Sequence, residues 1–553
     1  MKRILAAFLA LLMFCALLPH TALPVSAGGD NEGYSGECGN ALIWSFDPDT
    51  GELSILGGEE MWDFSPSTVP WAEFRDQIKS VKMDDKLTHL GDFAFYGCSN
   101  LTTVKFPNHY QGEGDYKFES IGSNAFSSCL SLTKIVLPQD LKTIGYSAFI
   151  NCTSLKSVSF NGALTEIGNN AFEYCTALKS LVFPKSLKRI GNFAFDSCAN
   201  LSSVKFSEGL TEIGVAAFEF CEALSSVTLP NSLVSLKDGA FFLCTSLTDV
   251  TLPKNVKNVG GNVFGECHAL KRVVCRSSKA YIYRYWIWRS ETDGDWFPPK
   301  SYEDEGWFGP DAIYNMLGPN KQVQVFGYAV GAEGKSRSET IQIRTDSGKW
   351  ENQTGSWADY IGDYAKESGY KFYPLDKFVD VKDGDSYQIP VAWAVGNKVT
   401  AGMDATHFAP ASTVTRAQAM TFFWAALKKP KFKKANTRFV DVKKSDWYYK
   451  PVMWAVENGV TAGTDATHFS PNKTCNRGEI LAFLYASLKK PKVKIKNPYK
   501  DVSNQWYKKA ALWAYANGIE KGEKGKFNAS TPCTRASTVT YLYRFFTGMD
   551  LAK

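Results

Sequence analysis

Three arginines recur at equivalent places in the last third of the chain. Thr415-Arg416, Asn476-Arg477 and Thr534-Arg535 each open a segment of helical character, with the arginines 61 and 58 residues apart. An arginine at a helix N-terminus combines forked donors with unpaired backbone N–H groups, a pairing that suits a carboxylate. Thr and Asn are N-cap residues by type, and Glu479 stands at the capping-box position after Asn476. The alternative reading of each arginine is an ordinary solvated helix start. Histidine, by contrast, is scarce: six in 553 residues leave little material for acid–base or metal chemistry.

The elements that must position these arginines also recur. Phe378-Val-Asp380-Val, Phe439-Val-Asp441-Val and Tyr499-Lys-Asp501-Val open three units, each continuing to a helix around Trp393, Trp454 or Trp513. A glycine turn follows, at Val399-Thr-Ala-Gly402, Val460-Thr-Ala-Gly463 and Ile519-Glu-Lys-Gly522, and then the arginine helix. Lysine-rich linkers, Lys428–Lys434 and Lys489–Lys496, separate the units. The order of opening, glycine turn and arginine resembles S-layer homology domains, three in tandem at 376–435, 436–496 and 497–553.

That resemblance implies a helical pseudo-trimer that docks on secondary cell-wall polysaccharide, often bearing ketal-linked pyruvate on an N-acetylhexosamine. By the same resemblance Asp380, Asp441 and Asp501 are acids that accept sugar hydroxyls, and Arg416, Arg477 and Arg535 are the carboxylate clamps. Trp447 and Trp506 match the family's stacking aromatic, and Gly402, Gly463 and Gly522 its close-approach glycine. The first unit departs, with Ser386-Tyr387 where the second has Trp447. The third is shortened around Gly522–Phe527 and has Ser537-Thr538 where an acid is usual. His407 and His468 occupy equivalent Asp-Ala-Thr-His-Phe turns and read as loop-packing groups.

The first half is a repeat. Cys129, Cys152, Cys175, Cys198, Cys221, Cys244 and Cys267 follow one another at 23 residues, and Cys98 joins after an insertion around Asn108–Phe118. The unit reads Leu141-Lys-Thr-Ile144-Gly145-x-x-Ala148-Phe149-x-x-Cys152-x-x-Leu155-x-x-Val158-x-Phe160. A fixed period of this length marks a solenoid, whose units bury their apolar faces only by stacking. Leu155, Val158 and Phe160 point inward from a short strand, while Ala148, Phe149 and Cys152 line the opposite wall. The pattern over residues 87–275 resembles the BspA-type leucine-rich repeats of bacterial surface proteins. Residues 28–86, with Cys38–Trp44, Met61-Trp62 and Pro70-Trp71, resemble that family's N-terminal cap. Gln322–Tyr328 and Trp357–Tyr373 resemble its closing strand and tail, within a C-terminal cap and insert at 276–375.

The cysteine ladder brings thiols within disulfide range of the neighbouring coil. Its strict repetition nevertheless reads as a column of small buried hydrophobes. Zinc would need CxxC or Cys/His clusters, which the sequence does not contain. The outward strand positions Ser157, Ser159, Ser180, Val182, Ser203, Lys205, Ser226, Thr228, Asp249 and Thr251 form a candidate face. Their small, non-aromatic side chains fit a protein partner better than a sugar, which asks for ring stacking; a merely solvated sheet face is the alternative.

Compartment and charge complete the reading. Met1-Lys2-Arg3, an apolar run from Ile4 to Leu18 and Val25-Ser26-Ala27 describe a cleaved secretory signal over 1–27. No other segment is apolar enough to span a membrane. From Asp376 onward 29 Lys+Arg face 14 Asp+Glu, so this part carries +15 and the rest −9 of an overall +6. The basic charge comes without a nucleic-acid-reading motif, so nucleic acid is not an expected partner. Residues 276–320 crowd Tyr281–Trp288, Trp296-Phe297 and Trp307-Phe308, a small core or a ligand platform. Asp47-Pro-Asp49-Thr-Gly51 echoes a calcium loop without its distant glutamate and reads as a β-turn.

The expected fold class is α+β: a leucine-rich repeat solenoid followed by an all-α pseudo-trimer. The expected function is a non-catalytic protein anchored to the cell wall by polysaccharide and displaying the repeat face, with no metal and no cofactor. A wall hydrolase using carboxylates such as Glu303 and Asp311 is the competing class. A paracrystalline-layer subunit is the third.

Overall fold

The computed structural model describes residues 34–107, 116–160, 162–277, 370–433 and 438–548, and short stretches at 281–283, 288–289, 296–297, 323–327, 337–344 and 350–360. The expected signal segment 1–27 lies outside the described residues. So do Glu303, Asp311, most of the insertion near 108–118 and most of the aromatic insert 276–320.

Four strands open the fold: β1 (Ser35–Gly39), β2 (Leu42–Asp47), β3 (Glu52–Gly57) and β4 (Ser80–Met83). β1, β2 and β3 pair antiparallel, and β3 pairs parallel with β4, which starts the parallel stacking. Along β2, Leu42, Trp44 and Phe46 face the core while the residues between them face out, the period of a half-buried strand. The Asp47–Gly51 segment is a turn: Asp47 Oδ1 accepts the Asp49 N–H at 2.9 Å, and Asp47 O accepts the Gly51 N–H at 2.8 Å. Trp71 is fully buried and donates its Nε1–H to the Ala94 carbonyl at 2.7 Å, sealing the cap onto the first coils.

From Thr103 to Ile213 a three-residue strand and a two-residue strand alternate, one of each per coil. Ser157–Ser159 stacks on Lys134–Val136, and Ser180–Val182 on Ser203–Lys205, all parallel. The shorter strands form a long parallel ladder in which Ile144, Ile167, Ile190 and Ile213 are in register. Phe149, Phe172 and Phe195 stack nearly flat, with centroids 5.0 and 5.2 Å apart and planes 2° and 1° from parallel. The cysteines lie beneath. Cys175 donates its thiol to the Phe149 carbonyl at 3.3 Å and Cys198 to Phe172 at 3.4 Å. All twelve described cysteines are free and buried. Burial pushes the Cys152 and Cys267 thiols up to about 12, so they sit in the wall as neutral packing groups.

The last coils hand the chain to the helical modules. Asp249–Leu252, Arg272–Cys275, Gln324–Gly327 and Lys371–Pro374 form one parallel sheet. The other ladder continues from Asn258–Val259 to Tyr281–Tyr283, where Trp350–Tyr360 and Arg337–Arg344 add antiparallel.

Among the described residues six helices follow: α1 (Gln388–Gly396), α2 (Arg416–Ala426), α3 (Tyr449–Glu457), α4 (Arg477–Ser487), α5 (Lys508–Ala516) and α6 (Arg535–Thr547). Thr415 and Asn476 close capping boxes with Gln418 and Glu479, and the Thr534 side chain accepts the Ser537 N–H. The second helix of each module packs against the first helix of the next: α2 on α3, α4 on α5, and α6 back on α1. The ring closes on its own backbone. Val414 N–H donates to Cys533 O, Cys475 N–H to Val414 O and Cys533 N–H to Cys475 O, each at 2.9 Å. The solenoid meets this ring at Arg272, which pairs with Asp249 at 3.1 Å and donates to the Tyr543 hydroxyl on α6. Beside it, Arg276 donates to Gln388 Oε1 at 2.8 Å.

Candidate functional site: a cavity shared by three modules

The opening acids close their own modules. Asp380 accepts the N–H groups of Phe408 and Ala409 at 2.9 and 2.7 Å. Asp441 accepts those of Phe469 and Ser470 at 2.9 and 2.7 Å, and Asp501 those of Phe527 and Asn528 at 2.7 and 2.8 Å. With both carboxylate oxygens committed to a loop, their structural duty comes before the sugar contact expected of them. The glycines are similar. Gly402 and Gly463 sit at φ +105° and +94°, and a Cβ there would lie 2.5 Å from the ring of Phe378 or Phe439. The partner that approaches closely is the module's own opening aromatic. At Gly522, φ +71°, a Cβ would meet Lys526 O at 2.3 Å.

The arginines divide. Each reaches across to the next module rather than out from its own. Arg416 is 4% exposed and donates Nε–H to Phe469 O at 2.8 Å and Nη2–H to Thr461 Oγ1 at 3.0 Å. Arg535 is 2% exposed and donates Nε–H to Phe408 O at 2.8 Å, with its guanidinium 4.8 Å from the Phe408 ring centre. Burial lowers the pKa of both, which is the cost of placing a cation between modules. These two therefore serve as inter-module ties, whereas the resemblance implied carboxylate clamps. Arg535 keeps one feature that points outward in chemistry: its Nη2 is buried with no hydrogen-bond partner in the protein.

Arg477 differs. It donates to Phe527 O at 2.7 Å, yet its side chain keeps 12% exposure and lines a cavity of about 530 Å³. The walls come from all three modules: Ser386, Tyr387, Pro410 and Ala411 of the first, Arg477 of the second, and Gly518 and Glu520–Glu523 with one side of α6 as far as Arg544 from the third. Lys521 and Arg544 add positive charge, and the Arg544 Nε is buried without a partner. Glu520 sits 3.8 Å from Arg477 and accepts the Tyr541 hydroxyl at 2.6 Å. Burial works against the Arg477 charge, but Tyr541, Glu520 and Glu523 outweigh it and its pKa is raised. A polar cavity with two guanidiniums, one ammonium and two acids, cations in excess, can take an anionic, hydroxyl-rich ligand.

Trp447 and Trp506 are the most solvent-exposed tryptophans of the modules, at 64% and 69%. Each packs edge-on to the next residue, Tyr448 or Tyr507. Tyr507 also faces α4 of the preceding module, where a Cβ on Gly478 would lie 3.4 Å from its ring. Tyr387, at the position of Tyr448 and Tyr507, lines the cavity, as does Ala536 of α6. The sequence reading missed Glu520, Lys521, Tyr541 and Arg544. The signal for the first two was present, since Ile519-Glu-Lys-Gly522 replaces the Thr-Ala of the other modules.

On the solenoid, Ser157, Ser159, Ser180, Ser203, Lys205, Ser226, Thr228 and Thr251 are exposed, and Val182 is 59% exposed. Asp249 departs: it is half-buried and held by Arg272. His407 and His468 lie in exposed turns, 3.2 and 3.1 Å from Asp404 and Asp465.

Two family models match the two parts of this anatomy. A family model described as BspA type leucine rich repeat region matches residues 73–187, 119–224 and 165–292. A second, the S-layer homology domain, matches 377–420, 438–481 and 498–538. A surface-layer 125 kDa protein of Lysinibacillus sphaericus is 31% identical over 201 residues, 35% of this chain and 15% of that protein. The exoglucanase XynX of Acetivibrio thermocellus is 28% identical over 174 residues, 30% of this chain and 16% of that one. The chain thus spans about a sixth of the length of either relative. Among solved structures, a leucine-rich repeat protein of Bacteroides ovatus is 22% identical with a TM-score of 0.31, covering 43% of this chain and 70% of that one. A leucine rich repeat protein of T. pallidum is 27% identical with a TM-score of 0.28, covering 42% and 88%. No described helix is long and apolar enough to cross a membrane. The chain carries BspA-type leucine-rich repeats followed by three S-layer homology domains, the make-up of a cell-wall-associated surface protein.

Proposed function

We propose that this is a non-catalytic display protein held on the wall by secondary cell-wall polysaccharide that seats in the clefts between its helical modules. S-layer homology domains bind cell-wall polysaccharide in general. The cavity around Arg477 is the observation that carries the reading for this chain, because it gathers cations from two modules and an aromatic from the third. An acidic substituent such as a ketal-linked pyruvate would meet Arg477, Lys521 and Arg544. Trp447, Trp506 and Tyr387 offer rings for sugar stacking. The secreted location belongs to the same proposal.

The repeat face is the displayed part. Its hydroxyl columns and Val182 suit a protein ligand through hydrogen bonds and modest apolar contact. The test is co-sedimentation of the full chain with purified wall sacculi, before and after hydrofluoric acid strips the polysaccharide. Binding that disappears with the polysaccharide supports the proposal, and binding that survives contradicts it.

A further inference from the structure

Two lysine rows, one after each of two modules, lie outside the lining of the cavity. After α2 the chain runs Lys428-Lys429-Pro430-Lys431-Phe432-Lys433, and after α4 it runs Lys489-Lys490-Pro491-Lys492-Val493-Lys494-Ile495-Lys496. Past the helix ends both rows lack helix or strand. Lys431, Lys433, Lys492, Lys494 and Lys496 are exposed, whereas Pro430, Phe432, Pro491 and Val493 between them are half-buried. Phe432 and Val493 pack against the core of the modules. This alternation is that of an extended chain laid with one side down, so successive lysines stand about 6–7 Å apart along it.

The rows are fastened rather than loose. Trp424 Nε1–H donates to Pro430 O at 3.0 Å, and in the next module Tyr485 O–H donates to Pro491 O at 3.1 Å. Glu457 accepts the Lys433 backbone N–H at 2.7 Å. A helix dipole accounts for cations in and just after the last turn, which covers Lys428 and Lys489. Lys429 leans over the Trp424 ring, 5.9 Å from its centre. The five lysines further along are beyond both effects, and among the described residues none of them makes an ion pair.

We propose that these rows dock a linear polymer of closely and regularly spaced phosphates, the chemistry of a phosphodiester-linked wall polymer. Lysine presents a compact point charge that suits phosphate oxygens. Neither row contains an arginine, whose planar fork would favour carboxylates. The apolar residues of the rows turn mostly inward, leaving little to insert into a lipid surface. This contact is separate from the Arg477 cavity and survives or fails independently of it.

The test uses the full chain with linear inorganic polyphosphate as probe, with neutral dextran and phosphatidylglycerol vesicles as comparisons. The chain should bind polyphosphate and not dextran, with affinity falling steeply as salt rises. Changing Lys431, Lys433, Lys492, Lys494 and Lys496 together to Gln should weaken binding at least about tenfold at low salt and flatten the log–log salt slope by about 3 to 5. These exposed substitutions should leave the melting temperature unchanged. No polyphosphate binding, equal binding by the five-lysine variant, or tighter binding to the vesicles would each overturn the proposal.

Discussion

The Arg416 guanidinium lies 5.0 Å from the centre of the Phe469 ring and donates its Nε–H to the Phe469 carbonyl, although the two residues belong to different modules. The same cross-module step recurs from Arg477 to Phe527 and from Arg535 to Phe408, so three chain segments lock one another in a cycle. A residue type that reads as a ligand clamp is first a fastener of the ring. The clefts are shared between modules as a consequence.

That cycle predicts unequal effects of arginine removal. Arg416→Ala or Arg535→Ala leaves buried carbonyls unpaired and a void beside two rings, and should destabilise the modules by about 2–4 kcal/mol. Arg477→Ala, at the cavity edge, should cost less stability and more wall binding. Chemical denaturation of the full chain alongside sacculus binding separates the two behaviours; equal stability loss in all three variants would contradict the division of roles.

Gly402→Ala and Gly463→Ala should each destabilise their module by about 1–3 kcal/mol. Both strain a left-handed backbone and drive a Cβ onto a buried ring 2.5 Å away. Thermal melting of the two variants checks this, and unchanged melting would remove the packing argument.

The cysteine ladder predicts chemical silence. A thiol reagent that reacts with thiolates should label the described cysteines of the folded protein only after unfolding, since burial holds thiols such as Cys152 near 12 and excludes the reagent. Rapid labelling of the native protein at pH 8 would contradict the buried ladder.

Much of this was legible from spacing. The Ala-Phe-x-x-Cys period named the wall residues, because a 23-residue coil can bury its apolar side only against an identical neighbour. The N-caps Thr415, Asn476 and Thr534 were readable because capping is decided within a single turn of chain. The destinations of Arg416 and Arg535 were not, because a module's sequence does not say that its neighbour's loop will fill the space before its helix. Nor could the commitment of Asp380 be read, since its partners at Phe408 and Ala409 arrive through a turn whose course only the fold sets.

One group of carboxylates ties solenoid stability to pH. Glu173, Asp196 and Glu219 occupy the same position in three successive coils, with Glu173 and Asp196 only 3% and 7% exposed. Burial, and then the charge of Glu173, pushes Glu219 from near 4.5 up to about 7, and burial, with the charges of Glu219 and Glu173, holds Asp196 well above its usual value. The folded state therefore holds protons that the unfolded chain has released. The Glu219 contribution to stability is fully present below about pH 4.5 and declines as pH rises to about 7, by up to about 3 kcal/mol. Glu219→Gln should flatten the decline between pH 5 and 8 in denaturation experiments, and an unchanged profile would reject the assignment.

The direct measure of anchoring is the affinity of the full chain for purified secondary cell-wall polysaccharide, compared with a variant carrying Arg477→Gln, Trp447→Ala and Trp506→Ala. All three side chains reach solvent or the cavity, so the variant should stay folded, with no more than the small stability loss expected from the Arg477 tie to Phe527. The account predicts an affinity at least about tenfold weaker, equivalent to about 1.4 kcal/mol or more. A variant that stays folded and binds the polysaccharide as tightly as the parent would contradict it.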